Sequence, residues 1–314
     1  MACVLWFVVP CYNEQDALPV TAPVMLEKLK SLIAAGKIST ESKILFVNDG
    51  SSDGTWDVIT ALHEHDSMVC GISLAHNAGE QNAHLAGMFT AVKYADAVIT
   101  MDCDLQDDIN AVDEMIDRFG EGYEIVCGVR SKREGDNLLK KLPAKMFYKM
   151  MSLMGVESIE EHEMYRLMSR RAVNMLSEYR ESNLHLPTAV LALGLKRTIV
   201  YHERFERAAG TTKYSLVKLI RFALNAVTAA TSAPIALITL FAVLCVLFFA
   251  GAVIALICVS VRNGTFDIPL AILSSVWLIG AGLAFSLRLL GEYICKTYQE
   301  SKGRPRYHIA EELL

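Results

Sequence analysis

No two cysteines in this chain stand as C-x-x-C, and no histidine lies at a spacing that would complete a zinc site with them. The eight cysteines therefore read as buried free thiols in a reducing compartment. Basic runs are missing too, except beside the apolar C-terminal region, and the formal net charge is -5. A protein held on nucleic acid by phosphate contacts carries a basic footprint, so nucleic acid is excluded as a partner. The opening apolar run, Val4-Leu5-Trp6-Phe7-Val8-Val9, has neither a basic leader nor a small-residue cleavage site. With Pro10 expected to end it, this run reads as a buried strand and not as a signal peptide.

What the chain does have is a composition in two parts. Its 314 residues suffice for one sizeable α/β domain with an appendage. The first two-thirds is rich in Asp, Glu, Lys and Arg, while apolar residues crowd the C-terminal third. Short apolar runs at 4–9, 44–47, 69–74, 97–101 and 125–129 alternate with stretches of helical spacing around 20–35, 55–65, 81–94 and 111–119. Strands alternating with helices predict an α/β domain built on a mostly parallel, Rossmann-like sheet covered on both faces. In such sheets ligands gather outside the carboxyl ends of the strands. The segments to weigh are therefore 11–14, 48–53, 76–81, 102–106 and 130–133.

Beyond residue 136 the pattern changes. Residues 137–155 combine four lysines with Leu, Met and Phe, the composition of an interfacial helix on anionic lipid or of an amphipathic helix packed on the core. The run 235–261 is uncharged and mostly apolar, long enough at about 1.5 Å per residue to cross a hydrocarbon core of about 30 Å. A short polar break at 262–267 precedes a second apolar stretch from 268 to 287, followed by Arg288 and Glu292, which could pair or snorkel. These predict two C-terminal transmembrane helices, 235–261 and 268–294, after a juxtamembrane amphipathic segment at 209–234. Lys and Arg flank both spans, whereas the connecting loop carries Arg262 alone, so the expected location is integral to a membrane. The N-terminal domain and both termini, including a tail at 295–314, are then cytoplasmic.

The segment Ala97 to Asp108, AVITMDCDLQDD, places Asp102 at the end of an expected strand with Asp104 and Gln106 on alternate positions beyond it. In extended chain these three share one side. Two close carboxylates there can hold Mg²⁺ or Mn²⁺, which would neutralise a departing diphosphate. The segment reads equally as an acidic turn that caps the next helix at Asp107 or Asn110, since D-x-D alone is a weak signal.

The motif has company. Pro10-Cys11-Tyr12-Asn13-Glu14 follows the first run, Val47-Asn48-Asp49-Gly50-Ser51-Ser52-Asp53-Gly54-Thr55 the second, and Asn77-Ala78-Gly79-Glu80-Gln81 the third. With Asp102-Cys103-Asp104 and Arg166-Leu167-Met168, this order resembles family 2 inverting glycosyltransferases of the GT-A fold across the first ~210 residues, with 1–208 as the catalytic domain. The resemblance implies that Pro10, Tyr12, Asn13, Glu14, Asn77 and Arg130 line the nucleotide-sugar pocket and that Asp49 binds the base. Asp102, Asp104 and Gln106 then serve the metal and diphosphate. A ring that stacks on a base and a glycine-rich turn that lets backbone approach fit those roles, although Gly50 and Gly54 also suit a plain strand-to-helix turn.

The stretch from Tyr201 to Tyr214, YHERFERAAGTTKY, is similar to the R-x-x-R-x-x-G-x-[ST]-K-Y segment of polyprenyl-phosphate glycosyltransferases, a group that includes undecaprenyl-phosphate glucosyltransferases and dolichyl-phosphate mannose synthase-like enzymes. It implies a polyprenyl phosphate acceptor, UDP-glucose as donor, a bacterial inner or plasma membrane as location with the catalytic domain on its cytoplasmic side, membrane lipid as surroundings and a homo-oligomer. Arg133, Arg204, Arg207 and Lys213 are the candidates for lipid phosphate, and Arg204 and Arg207 for catalysis beside Asp104, although each basic residue also reads as a solvated surface charge.

Two positions depart from the pattern. Where the family usually carries an Asp two residues before the Arg of Arg166-Leu167-Met168, often taken as the base, this chain has Met164. The adjacent Glu163 is the catalytic candidate to replace it, although neighbouring side chains normally point to different sides. Glu80 and His76 stand where relatives commonly have basic residues. These leave a competing reading open, a non-catalytic subunit that binds nucleotide sugar or lipid phosphate within an export complex.

Overall fold

A computed structural model describes residues 2–130, 162–181, 184–203 and 268–314. Contacts divide the chain into one unit of Met1–Ser215 with Pro305–Leu314 and a second of Leu216–Arg304.

The first unit is a sheet of eight strands: β1 (Leu5–Cys11), β2 (Lys43–Asn48), β3 (Val69–Leu74), β4 (Ala97–Thr100), β5 (Ile125–Arg130), β6 (His162–Ser169), β7 (Arg197–His202) and β8 (Ile309–Leu313), in the order β7-β5-β6-β4-β1-β2-β3-β8. β4, β1, β2 and β3 run parallel, as do β5 and β7. β6 is antiparallel to both β4 and β5, and β8 is antiparallel to β3. The mostly parallel α/β expectation holds, and the antiparallel strands are additions to it. Pro10 does not end β1: the strand continues to Cys11, with Pro10 opposite Val47. The pairing of β1 with β4 stops at Val8, so the missing proline N–H falls where that side is already open.

Alternation along the strands sorts side chains into two apolar layers. Leu5, Phe7 and Val9 meet Leu18, Met25 and Leu29 of helix α1 (Leu18–Ala34), Ile59 of α2 (Thr55–His65) and Met115 of α4 (Ala111–Gly120). Trp6 and Val8 face Ala83 and Met88 of α3 (Glu80–Ala91), Val173 of α5 (Arg170–Ser177) and Val190 of α6 (Leu186–Ala192). Side chains such as Phe7, Leu18 and Met25 are completely buried, each worth about 1.5–3 kcal/mol of transfer free energy. Gly87 lets α3 lie hard on the sheet, since a Cβ there would come within 2.3 Å of Val8 Cγ1 and 2.8 Å of Val47 Cγ2. Where β6 ends, the Ser169 hydroxyl caps α5 by accepting from the Ala172 N–H at 3.0 Å, so the chain turns from strand to helix within one residue.

In the second unit the described chain forms one helix, α7 (Ile268–Ser301). The apolar stretch expected as the second span does not stand as a bounded segment. It forms the first part of α7, which runs on through Arg288, Glu292, Lys296 and Glu300, one charge per turn. Among the described residues no helix is long and apolar enough to cross a membrane. The expected integral-membrane location, with its cytoplasmic domain and termini, is corrected by that finding. The expected first span 235–261, its flanking segments 209–234 and 262–267, and the interfacial helix 137–155 lie outside the described residues. Residues Ile309–Leu313, placed by sequence in a tail, return to the first unit as β8, where Glu311 accepts from the Trp56 indole N–H at 3.1 Å.

Candidate active site

The carboxyl ends of β1, β2, β3 and β4 bring four loops together. The first two are stitched to each other: the Asn13 N–H donates to the Ser51 hydroxyl at 3.0 Å, the Ser52 N–H to the Asn13 side-chain Oδ1 at 2.9 Å, and the Glu14 N–H to the Thr55 hydroxyl at 2.9 Å. Asn13 holds φ 57, a left-handed conformation that Asn tolerates better than most side chains. Tyr12 then stands 46% exposed at the mouth of the site, its ring available to a planar ligand.

Asp49 is 3% exposed and fastens the third loop: its carboxylate accepts from the Ala78 N–H at 2.7 Å and the Gly79 N–H at 3.1 Å. Burial pushes this carboxyl above its ordinary range, and the two backbone donors pull the other way. Asn77 donates its side-chain amide to the Asp49 carbonyl at 3.2 Å. A carboxylate has about four lone-pair positions, so two remain for a ligand after those bonds.

Asp102 lies two residues beyond the end of β4, not at its last position. The alternation around it is real: Cys103 points into the core beside Thr21, Sγ to Oγ1 3.7 Å, while Asp102 and Asp104 are half-buried. It stops one residue later. Leu105 has φ 52, and Asp104 accepts from the Gln106 N–H at 3.1 Å, so a tight turn separates Asp104 from Gln106 and the extended geometry expected for the three does not extend to Gln106. Asp107 is no helix cap. It pairs with Arg130, Nε to Oδ1 3.2 Å, and lies 3.8 Å from His202 Nδ1, while α4 starts at Asn110 without a side-chain cap. Arg130, expected on the nucleotide sugar, thus donates its Nε–H to a buried carboxylate.

One residue at this sheet end was not expected. His84 of α3 is completely buried, and neither ring nitrogen has a hydrogen-bond partner. Burial, aided by the charge of Arg166, pushes its pKa down to about 3, which leaves the imidazole neutral near pH 7. Its Nε2 is 4.0 Å from Asp102 Oδ1, beyond hydrogen-bond reach. Orphaned buried donors or acceptors cost about 1–3 kcal/mol each, so the arrangement invites a ligand. Glu80, one turn before His84, completes a set in which ligand atoms of Glu80, His84 and Asp102 all lie within 4.8 Å of one another. The residues present thus fit a divalent cation. Sequence reasoning missed His84 because a lone histidine among apolar helix positions reads as core. The i, i+4 pair Glu80 and His84 was the available signal, hidden because the helix was expected to start at Gln81.

On the acceptor side, Met164 is buried among apolar side chains, its carbonyl accepts from the Thr100 hydroxyl, and its sulfur accepts from Arg166 at 3.5 Å. Glu163 belongs to β6, but its side chain lies outside the described residues, as do Arg133, Arg204, Arg207 and Lys213 entirely. Arg166, fully buried in the strand that separates β4 from β5, is held down to about pKa 10 by burial.

The profile of Glycosyl transferase family 2 matches residues 6–176, which takes in the four loops, α3 and β6. The chain is 39% identical over 312 residues to the uncharacterized glycosyltransferase YkoT of Bacillus subtilis, covering 99% of this chain and 92% of that protein. It is 35% identical to the prophage bactoprenol glucosyl transferase homolog of Escherichia coli, covering 96% of this chain and 97% of that one. It is 34% identical to the bactoprenol glucosyl transferase of Shigella phage SfV, with 97% of each chain covered. The chain belongs to glycosyl transferase family 2 and is a glycosyltransferase.

Proposed function

We propose that this glycosyltransferase moves a hexose, glucose, with inversion from a nucleotide diphosphate sugar, UDP-glucose, to polyprenyl phosphate. The observation that carries the reading is kinship at 34–35% identity, over nearly the whole chain, with proteins named bactoprenol glucosyl transferases. The site supports the donor half. Tyr12 offers an exposed stacking face, Asp49 fastens the Ala78–Gly79 turn and keeps acceptor capacity, and Asp102 and Asp104 bring negative charge to the sheet end where a cation would meet a diphosphate.

The chemistry needs little from a protein base. A lipid monophosphate has a second pKa near ~6, so at neutral pH its oxygen is already a nucleophile and Met164 in the usual Asp position is tolerable. That oxygen attacks C1 from the side opposite the diphosphate. The new C1–O bond forms as the bond to the leaving nucleotide breaks, and configuration at C1 inverts. A divalent cation, Mg²⁺ or Mn²⁺, held through Asp102 with Asp104 or Gln106, would stabilise the charge on the leaving diphosphate. Arg204, Arg207 and Lys213, with Arg133, are assigned to the acceptor phosphate.

The test is direct. The full chain in detergent, given labelled UDP-glucose, Mn²⁺ and undecaprenyl phosphate, is expected to move label into the organic phase in proportion to acceptor. Label that stays in water with every common nucleotide sugar would overturn the reading in favour of a binding subunit.

A further inference from the structure

We infer that Glu80, His84 and Asp102 form a mixed nitrogen and oxygen site for a divalent transition-metal ion, distinct from the Asp102-x-Asp104 pair and sharing Asp102 with it. Three observations place it. The imidazole of His84 is fully buried with both nitrogens unpartnered. Its Nε2 stands 4.0 Å from Asp102 Oδ1, and the Glu80 carboxylate closes the set within 4.8 Å. Asp104 is not a member of that group.

The spacing suits an ion. With metal–nitrogen and metal–oxygen bonds of about 2.0–2.2 Å, two ligand atoms on one cation sit roughly 3–4 Å apart. The 4.0 Å between His84 Nε2 and Asp102 Oδ1 is of that size and too long for a hydrogen bond, while the Glu80 carboxylate, within 4.8 Å, closes on the ion by a small side-chain movement. The geometry is also built in by the fold. Glu80 and His84 are i and i+4 on one face of α3, and Gly87, one turn on, lets that helix press against Val8 and Val47 so that His84 reaches the end of β4.

Donor chemistry sets the class of ion. Two carboxylates balance a double positive charge, and a neutral imidazole is the ligand form of histidine. Mg²⁺ favours all-oxygen surroundings with retained water, whereas Mn²⁺, Co²⁺ and Zn²⁺ accept imidazole nitrogen readily. The set therefore selects a transition ion over Mg²⁺. Its catalytic use, next to the donor diphosphate through the shared Asp102, rests on the proposed transfer reaction. The site itself does not.

The experiment is a metal titration of the full chain with neither sugar nucleotide nor lipid present. Free Mn²⁺ is followed by electron paramagnetic resonance, and bound Mn²⁺ by spin-echo modulation from a ligand ¹⁴N. The expected result is one bound Mn²⁺ with nitrogen modulation, undisplaced by a hundredfold excess of Mg²⁺. Glu80→Gln, on an exposed turn where folding is not at stake, should weaken binding about tenfold or more. His84→Leu should abolish the nitrogen signal, and Asp104→Ala should bind within about threefold of wild type. Absence of nitrogen modulation, displacement by equimolar Mg²⁺, or loss in Asp104→Ala with none in Glu80→Gln would overturn the assignment. Because no donor or acceptor is present, a failed transfer assay leaves these outcomes unchanged.

Discussion

Asp102→Asn is expected to lower glucosyl transfer by about a thousandfold or more while leaving the melting temperature nearly unchanged. The substitution keeps the shape of the side chain and removes its charge. Asp102 is where two constellations meet, the D-x-D segment after β4 and the Glu80–His84 face of α3. A neutral amide there weakens the charge balance that a departing diphosphate requires, and losing one preorganised electrostatic group of this kind typically costs a factor of about 10²–10³. Loss of a carboxylate that both candidate metal sites share pushes the effect to the upper end. Asp102 is half-buried and lies beyond the last residue of β4, outside the strand pairing, and the amide keeps the carboxylate's shape and can still accept a hydrogen bond. Initial rates at saturating donor, set beside thermal unfolding of the same preparation, measure both quantities. Activity within tenfold of wild type would remove Asp102 from the centre of the site.

Gly50→Ala is expected to destabilise the chain by about 2–4 kcal/mol and to weaken donor binding with it. Gly50 has φ 60, and a Cβ there would fall 2.4 Å from the His76 carbonyl carbon and 2.5 Å from the Asn77 nitrogen. Those are backbone atoms and cannot swing aside as a side-chain tip could. The cost combines about 1 kcal/mol or more for a left-handed non-glycine residue with about 1–3 kcal/mol of overpacking. The loop that must yield runs into Ala78 and Gly79, whose N–H groups Asp49 holds, so the damage reaches the donor pocket. Gly122 provides the comparison, with φ 85 but nothing within 4 Å of a Cβ, and alanine there should cost the backbone strain alone. Denaturant unfolding of the two variants separates the terms, and equal losses would show that the contact with the His76–Asn77 backbone does not matter.

How much of this could be read from the sequence depends on range. The apolar runs gave β1 to β5 to within two residues at either end, and α1 to α4 to within three, because their signals are local: unbroken apolar stretches for strands buried on both faces, helical spacing between. β6 escaped because His162-Glu163-Met164-Tyr165-Arg166 looks polar, and only its insertion between β4 and β5 buries Arg166. β8 escaped for a related reason. Ile-Ala-Glu-Glu-Leu is an edge strand with one side open, and its partner β3 is far away in sequence. The second span was read from an apolar stretch, which does not show where the helix containing it ends, and α7 runs past that stretch into a charged half.

The site divides in the same way. Asp49, Asp102 and Asp104 were legible because they follow strands whose carboxyl ends converge in any sheet of this kind. Their detailed duties were not, since Asp49 spends two bonds on the Ala78–Gly79 backbone and Asp107 pairs with Arg130. His84 needed the tertiary structure, because only the close approach of α3 at Gly87 sets an ordinary helix position beside Asp102.

The measurement that bears most directly on the account is the structure of the product. UDP-glucose carries its sugar in the α configuration, and in-line attack by a phosphate oxygen gives a β-linked glucosyl phosphate on the polyprenyl chain. Proton and phosphorus magnetic resonance of the purified lipid product is predicted to show glucose joined through C1 to phosphorus in the β configuration. An α-linked product, or free glucose with no sugar on the lipid, would contradict it.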